Sequence, residues 1–351
     1  MADAMAQVTP PGTPGAPATL SRLVQILRNH PGLRAKAAIG LVSEVLGTAD
    51  WISGPGDDGA ALDALGGQVV ACGEALWPPF VAADPYGAGF AAVLTNVNDL
   101  AAMGARPLGI VDTIVGSEEV ARVVLLGMRR AGELYDVPIL GGHLTLHDGP
   151  PAVSAFGVGT TRGQALSVTR VRAGQSLLVA AALDGQMRPD FPFFPAITER
   201  GPRCAGDVRL FAELAESGAC VAAKDISMAG LVGSLAMLLE CGQHGVVLDL
   251  DAVPRPAGIE LPAWLTCFPS FGFLLCIPPG READCAQPFL DRGLHAAVVG
   301  RIDDSGRLVL RLEGDCATVL DLAVDDVTRL SRPGPDRRLS RPGPDRRRSR
   351  Q

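Results

Sequence analysis

Four short stretches carry side chains whose types and spacing suit chemistry on a charged ligand. Residues 93–107 read Val-Leu-Thr-Asn-Val-Asn-Asp-Leu-Ala-Ala-Met-Gly-Ala-Arg-Pro, which sets Asn96, Asn98 and Asp99 inside an otherwise apolar run. Helix interiors disfavour Asn and Asp, because their short polar side chains compete for backbone groups. A buried carboxylate needs a partner or it neutralises. Asp99 is therefore expected either to pair with a cation, Arg106 being the nearest in sequence, or to bind a metal. Residues 54–62, Gly-Pro-Gly-Asp-Asp-Gly-Ala-Ala-Leu, put Asp57 and Asp58 side by side in a glycine-rich turn. A solvated acidic turn would account for them, and so would a magnesium site, since that ion takes a few carboxylates together with phosphate and water.

The third stretch is Gly141-Gly142-His143-Leu144-Thr145, after a short apolar segment at 137–140. Paired glycines after a strand let a ligand approach the backbone. His143 reads as a general base, a phosphate contact or a plain turn residue, histidine being the residue type suited to acid–base work near neutral pH. The fourth stretch, Lys224-Asp225-Ile226-Ser227-Met228-Ala229-Gly230-Leu231, runs from a strand into a helix. Asp225 or Ser227 would cap that helix, and an anion could dock there. Lys224 would pair with Asp225 or contact a phosphate as a point charge. Trp77, Phe80, Phe193 and Phe194 suit a substrate pocket, with a hydrophobic core as the default.

The elements that must position these groups follow from periodicity. Apolar residues recur at helical spacing from Leu20 to Leu46, and Pro31 divides that run into two helices. Residues 68–72 read as a strand and are followed by a loop through Asp84-Pro85-Tyr86. The central helix then runs from about Gly87 to Met103, stopped by Gly104 and Pro107. A strand at 108–115, a helix capped by Ser117, and strands at 138–140 and 152–160 complete a β-α-β-α-β-β order. Polar residues at 161–174 mark a boundary. The second half begins with a strand at 176–182 and a long loop at 184–203. A helix at 207–217, the helix after Ser227 to about Cys241, and strands near 246–250, 271–277 and 296–301 follow. The expected organisation is a disordered stretch at 1–18, an N-terminal domain at 19–165, a C-terminal domain at 170–326 and an Arg/Pro-rich tail at 329–351.

Composition excludes several classes. The chain has 351 residues, 47% apolar content and a net charge of −7, so it has no global basic footprint for nucleic acid. Its eight cysteines include no Cys-x-x-Cys pair and are expected to be reduced and mostly buried. No apolar run reaches bilayer-spanning length and the N-terminus lacks a secretory pattern, so the expected location is the cytoplasm. Only Lys36 and Lys224 are lysines among 31 basic side chains, which singles both out. Residues 330–338 and 339–347 repeat the same nine residues, an arginine-rich duplication able to touch anions non-specifically.

Taken in order, Gly-Asp-Asp-x-Ala-x-Leu, Asn-x-x-Asp-Leu-Ala-Ala-Met-Gly-Ala-x-Pro, Gly-Gly-His-x-Thr and Asp-Ile-Ser-x-x-Gly-Leu resemble a superfamily. It is the ATP-binding group of aminoimidazole ribonucleotide (AIR) synthase, thiamine-monophosphate kinase, selenophosphate synthetase and a hydrogenase maturation protein. The likeness spans roughly residues 40–325. The Asp84-Pro85-Tyr86-x-x-Gly89 loop and the histidine of Gly-Gly-His look most like selenophosphate synthetase.

The resemblance implies a two-domain α/β protomer whose N-terminal domains pair as a closed dimeric β-barrel, with ATP near the interface. It implies Asp57, Asp58 and Asp99 as magnesium ligands and Asn96 beside the phosphates. Gly141, Gly142, His143 and Thr145 would face the triphosphate, and Asp225, Ser227 and Gly230 would approach the acceptor. Glu74 stands where two of these families carry Asp, and is the substitute ligand. No cysteine precedes Cys72, and Lys36 lacks the glycine-rich context of the selenium enzymes.

The expected activity is magnesium-dependent phosphoryl transfer from ATP, or ATP activation, on a small metabolite, in a homodimer without a membrane or specific nucleic-acid partner. The competing class is a nucleotide-binding structural or regulatory subunit. A third, nucleic-acid binding through the arginine tail, predicts salt-sensitive binding lost on truncation near residue 329.

Overall fold

A computed structural model describes residues 20–47 and 54–330. The expected disordered N-terminus and the duplicated tail lie outside the described residues, apart from the tail's first two positions. In chain order the elements begin with α1 (Leu20–Arg28), α2 (Pro31–Ala35), α3 (Gly40–Leu46), β1 (Ala60–Ala64) and β2 (Gly67–Ala75). Then come α4 (Pro78–Ala83), α5 (Pro85–Ala102), β3 (Arg106–Gly116), α6 (Glu118–Tyr135), β4 (Ile139–Leu146) and β5 (Ala152–Thr161). The second half holds β6 (Ser176–Ala181), β7 (Phe193–Phe194), α7 (Ile197–Arg200), α8 (Cys204–Glu216), β8 (Ala222–Asp225), α9 (Gly230–Glu240) and β9 (Gly245–Asp249). It ends with α10 (Leu261–Thr266), β10 (Phe268–Pro269), β11 (Gly272–Ile277), α11 (Glu282–Asp291), β12 (His295–Asp303), β13 (Arg307–Leu312) and β14 (Asp315–Asp321).

These elements form a two-domain α/β fold on two mixed sheets. The first has the order β1-β2-β5-β3-β4 and the second β14-β13-β9-β12-β6-β11-β8, with β7 and β10 as a small separate pair. The expected β-α-β-α-β-β order is present, with β1 added where the acidic stretch continues into a strand.

α5 joins the two halves. Asp84 caps it by accepting from Gly87 N at 2.8 Å, and Pro85 sits in the first turn, so the expected loop is a capped helix start. Twelve of its residues, Asn96, Asn98 and Asp99 included, are buried. Gly104 takes φ +67 just past the helix end, where a left-handed residue closes the last turn. α5 packs on α6 through a mutual notch. A Cβ on Gly89 would stand 2.0 Å from the Val124 carbonyl oxygen, and one on Gly127 would stand 2.1 Å from that of Tyr86. The same apolar cluster continues from Val93, Val97 and Ile114 into Leu178, Phe211 and Phe273 of the second half, so the domains share a core.

The domain limits differ from the sequence order in one respect. Leu23, Leu27 and Leu33 of the N-terminal helices belong to the core under the second sheet. Arg28 reaches the Val319 carbonyl at 3.2 Å and Asp325 at 3.0 Å. Residues 20–47 are therefore an arm mounted on the C-terminal domain, because their apolar stripe finds its cover there.

Candidate functional site

The acidic residues meet where the two domains touch. Asp58 lies in the turn before β1, Asp99 on the last turns of α5, and Asp225 at the end of β8. One carboxylate oxygen from each can be chosen so that all three lie within 4.8 Å of one another. Lys224 sits among them, 3% exposed. Its ammonium donates to Asp58 Oδ1, and to the Gly56 carbonyl at 3.2 Å. The second Asp58 oxygen accepts from Asp225 N at 3.1 Å. Asp58 is thus pinned across the domain junction by one strand of the other sheet.

The electrostatics are those of a site short of positive charge. Burial, then Asp225, Asp58 and Glu74, push the Asp99 carboxyl well above the usual carboxylate range, with Lys224 opposing. Burial and Asp58 push Asp225 up to about 7, against Lys224 and Lys36. Burial works against the charge of Lys224, yet Asp58 and Asp225 hold its pKa above the normal lysine value. Arg106 is 3.3 Å from Glu216, which removes it as the partner of Asp99.

Several expected ligands occupy other places. Asp57 faces away from its neighbour: its oxygens accept from Gly54 N at 2.8 Å, Ser167 Oγ at 2.7 Å and Val168 N at 2.6 Å. That bonding makes it a clasp for the interdomain connection, and burial still raises its pKa to about 6. Asn96 is fully buried and fully bonded. Its Oδ1 accepts from Gly157 N at 2.8 Å and its Nδ2 donates to the carbonyls of Ala92 and Ala155. It pins α5 to β5 and has no group left for a phosphate. Glu74 is exposed at the rim rather than in the cluster, its pKa raised by the surrounding protein, lowered by Lys36 and raised by Asp58.

The Gly-Gly-His segment is a strand, not a turn. β4 pairs in parallel with β3, so that Thr113 matches His143 and Val115 matches Thr145. Alternation along β3 buries Ile110 and Ile114 against α5, which sends Gly141, His143 and Thr145 to the opposite face. Within one chain they do not join the acidic cluster. Gly141 has φ +150, and a Cβ on Gly142 would stand 2.5 Å from the Asp112 carbonyl oxygen, so backbone demands account for both glycines. The turn after β8 is also structural in part. Ser227 N donates to Ser234 Oγ at 3.2 Å, and the N-cap of α9 is Ala229, without a capping side chain. Gly230 has φ +69, with its would-be Cβ 2.4 Å from the Leu265 carbonyl oxygen. Of the aromatic candidates, Phe194 is core, Phe193 stacks on Phe268 at 4.7 Å, and Trp77 is exposed.

Two features escaped the motif reading. Lys36 on the N-terminal arm bears electrostatically on both Glu74 and Asp225, so both lysines of the chain lie in the field of the acidic residues. Asn98, beside Asp99, donates to the Ser270 carbonyl at 3.2 Å while its buried Oδ1 has no partner. The rarity of lysine was a signal for the first. The second had none.

Family models agree with this layout. Residues 56–161 match the AIR synthase related protein N-terminal domain, and residues 197–313 match its C-terminal domain. The chain belongs to the AIR synthase related protein family. An uncharacterized protein of Synechocystis sp. is 34% identical over 276 residues, which is 78% of this chain and 85% of that protein. Among solved structures, T. maritima PurL complexed with ATP superimposes with a TM-score of 0.67 at 19% identity, covering 90% of this chain. The match takes in 56% of the PurL chain, so this AIR synthase related chain spans about half of that protein. AaThiL complexed with AMPPCP and TMP superimposes with a TM-score of 0.62 at 19% identity, covering 80% of this chain and 95% of that one. At these identities the structures establish a shared fold.

Proposed function

We propose that this chain is a magnesium-dependent, ATP-using enzyme that directs the terminal phosphoryl group of ATP toward a small-molecule acceptor. The meeting of Asp58, Asp99 and Asp225 carries the reading. Three carboxylates from two domains offer hard oxygen donors close enough for one small divalent cation. The raised pKa of Asp99 and of Asp225 marks negative charge that the protein itself leaves uncompensated, which is what a cation would relieve. The donor set therefore fits magnesium, which when bound would neutralise phosphate charge. The AIR synthase related fold, shared with ATP-bound PurL and AMPPCP-bound ThiL, supports the same nucleotide class.

The chain's own groups then divide the work. Lys224 and the Asp225 amide hold Asp58 in place. Asp225, at the end of β8, completes the donor set from the second domain, on the side an acceptor would approach. Gly141, His143 and Thr145 would reach a nucleotide only across a pairing of two chains. The outer face they share carries exposed Val111 and Phe156, an apolar surface suited to a second copy.

Calorimetry of ATP binding with and without magnesium, on wild type and Asp99→Asn, tests the reading. Binding should require magnesium and be lost in the variant. A wild-type protein that binds no ATP with magnesium present would overturn it.

A further inference from the structure

Lys36 and Lys224 are placed alike but held differently. Lys224 is buried and bonded to Asp58 and Gly56, so its ammonium is committed to the fold. Lys36 is half-buried, and its ammonium makes no hydrogen bond or ion pair among the described residues. Its position is nonetheless fixed. A Cβ on Gly32 would stand 1.9 Å from the Met228 carbonyl oxygen, so α2 lies directly on the turn that follows Asp225. Lys36 comes one helical turn after Gly32, on the same face. Leu33 is buried in the core beneath α9. Farther along, Ser43 Oγ donates to the Leu330 carbonyl at 3.3 Å, so the arm is tied down on both sides of Lys36.

We propose that Lys36 binds the terminal phosphate of the nucleoside triphosphate, delivered to the acidic site by this arm. The inference rests on the nucleotide reading above and adds the residue that distinguishes a triphosphate from a diphosphate. An ammonium on a helix seated against the turn that follows Asp225 stands on the side from which an acceptor would approach, and that is the side where the transferred group must be gripped. Lysine suits the task as a compact charge with three donors and a flexible stem. Glu74, on the N-terminal domain, shares the field of Lys36 and would orient the ammonium across the cleft.

The test is calorimetric binding of ATP and of ADP, each with magnesium, to the full-length chain as wild type, Lys36→Gln and Lys36→Arg. The glutamine variant should bind ATP about tenfold more weakly, the loss of one charged hydrogen bond, with ADP changed by less than about twofold. Arginine should restore most of the ATP affinity. Equal ATP affinity in Lys36→Gln and wild type would overturn the proposal, and so would an equal loss for ATP and ADP. The thermal midpoint of Lys36→Gln should stay close to wild type, because among the described residues the ammonium has no hydrogen bond to lose. An unfolded variant would give Lys36 a structural role and overturn the proposal as well. Wild-type protein that binds neither nucleotide would fail at the earlier step, the nucleotide reading itself.

Discussion

Asp99 is an acid that the fold makes uncomfortable. It is buried, faces two other carboxylates, and has only Lys224 to offset them. Replacing it by Asn removes the repulsion and keeps the shape. Asp99→Asn is expected to raise the stability of the metal-free protein by about 1 kcal/mol or more, while abolishing magnesium-dependent nucleotide binding. Denaturant melts and calorimetry on the same sample would show the two effects moving in opposite directions. A variant less stable than wild type would mean that Asp99 is paired in the native state. Lys224→Met should do the reverse. It leaves Asp58 buried without its counter-charge, a loss of about 3–5 kcal/mol, visible as a lowered urea midpoint.

The same groups set a pH dependence. The folded pKa of Asp225, about 7, lies above its unfolded value near 4. Its stabilising contribution is complete below the unfolded value and is lost as pH rises through the folded one. Asp57, raised to about 6, acts with the same sign. The metal-free protein should therefore melt at progressively lower temperature between about pH 4 and pH 7.5. Magnesium should recover more of the midpoint at the alkaline end, with proton release on binding. A midpoint that rises over this window without metal would contradict the assignment.

At this scale the sequence was legible in parts. Asp58, Asp99 and Asp225 stand out because carboxylates in apolar or glycine-rich surroundings need a reason. Asp57 and Asn96 stand out by the same rule, yet hydrogen bonds to distant parts of the chain satisfy them, and no spacing distinguishes a clasp from a ligand. The partners that make the difference, Ser167 and Gly157, are 110 and 61 residues away.

Among the elements, α5 bears most on the site, because it carries Asp99 and crosses the domain junction. Its packing on α6 depends on Gly89 and Gly127. Gly89→Ala would force a methyl group onto the Val124 carbonyl, and should cost about 1–3 kcal/mol while shifting Asp99 away from Asp225. Thermal melts report the first effect and weakened magnesium binding the second. The helix itself was readable from its apolar run and its stop at Gly104. β4 was not, since Gly-Gly suggests a turn and only the pairing with β3 extends it into a strand. β13 and β14 went unread because a short antiparallel hairpin of mixed residues lacks a clear period.

For the molecule as a whole, the open face of the first sheet sets the next expectation. Val111 and Phe156 are neighbours across β3 and β5 and both are exposed. Phe156→Arg should convert a dimer to a monomer in sedimentation without unfolding the chain, whereas a wild-type monomer would remove the case for pairing through this face. The chain's division into halves follows from the polar stretch after Thr161, but the allegiance of α1 does not. Its apolar stripe fits any core, and only the folded chain shows it against the second sheet. Among the described residues, no helix is long and apolar enough to cross a membrane.

The seat of α1 has a consequence for synthesis. Arg28 bonds to Val319 and Asp325, residues made almost 300 positions later. At about 5–20 residues per second, a ribosome needs roughly 15–60 s to reach them. The first sheet can close while α1 still waits for its partners on β14 and just beyond it. α1 is thus made long before the residues it bonds to.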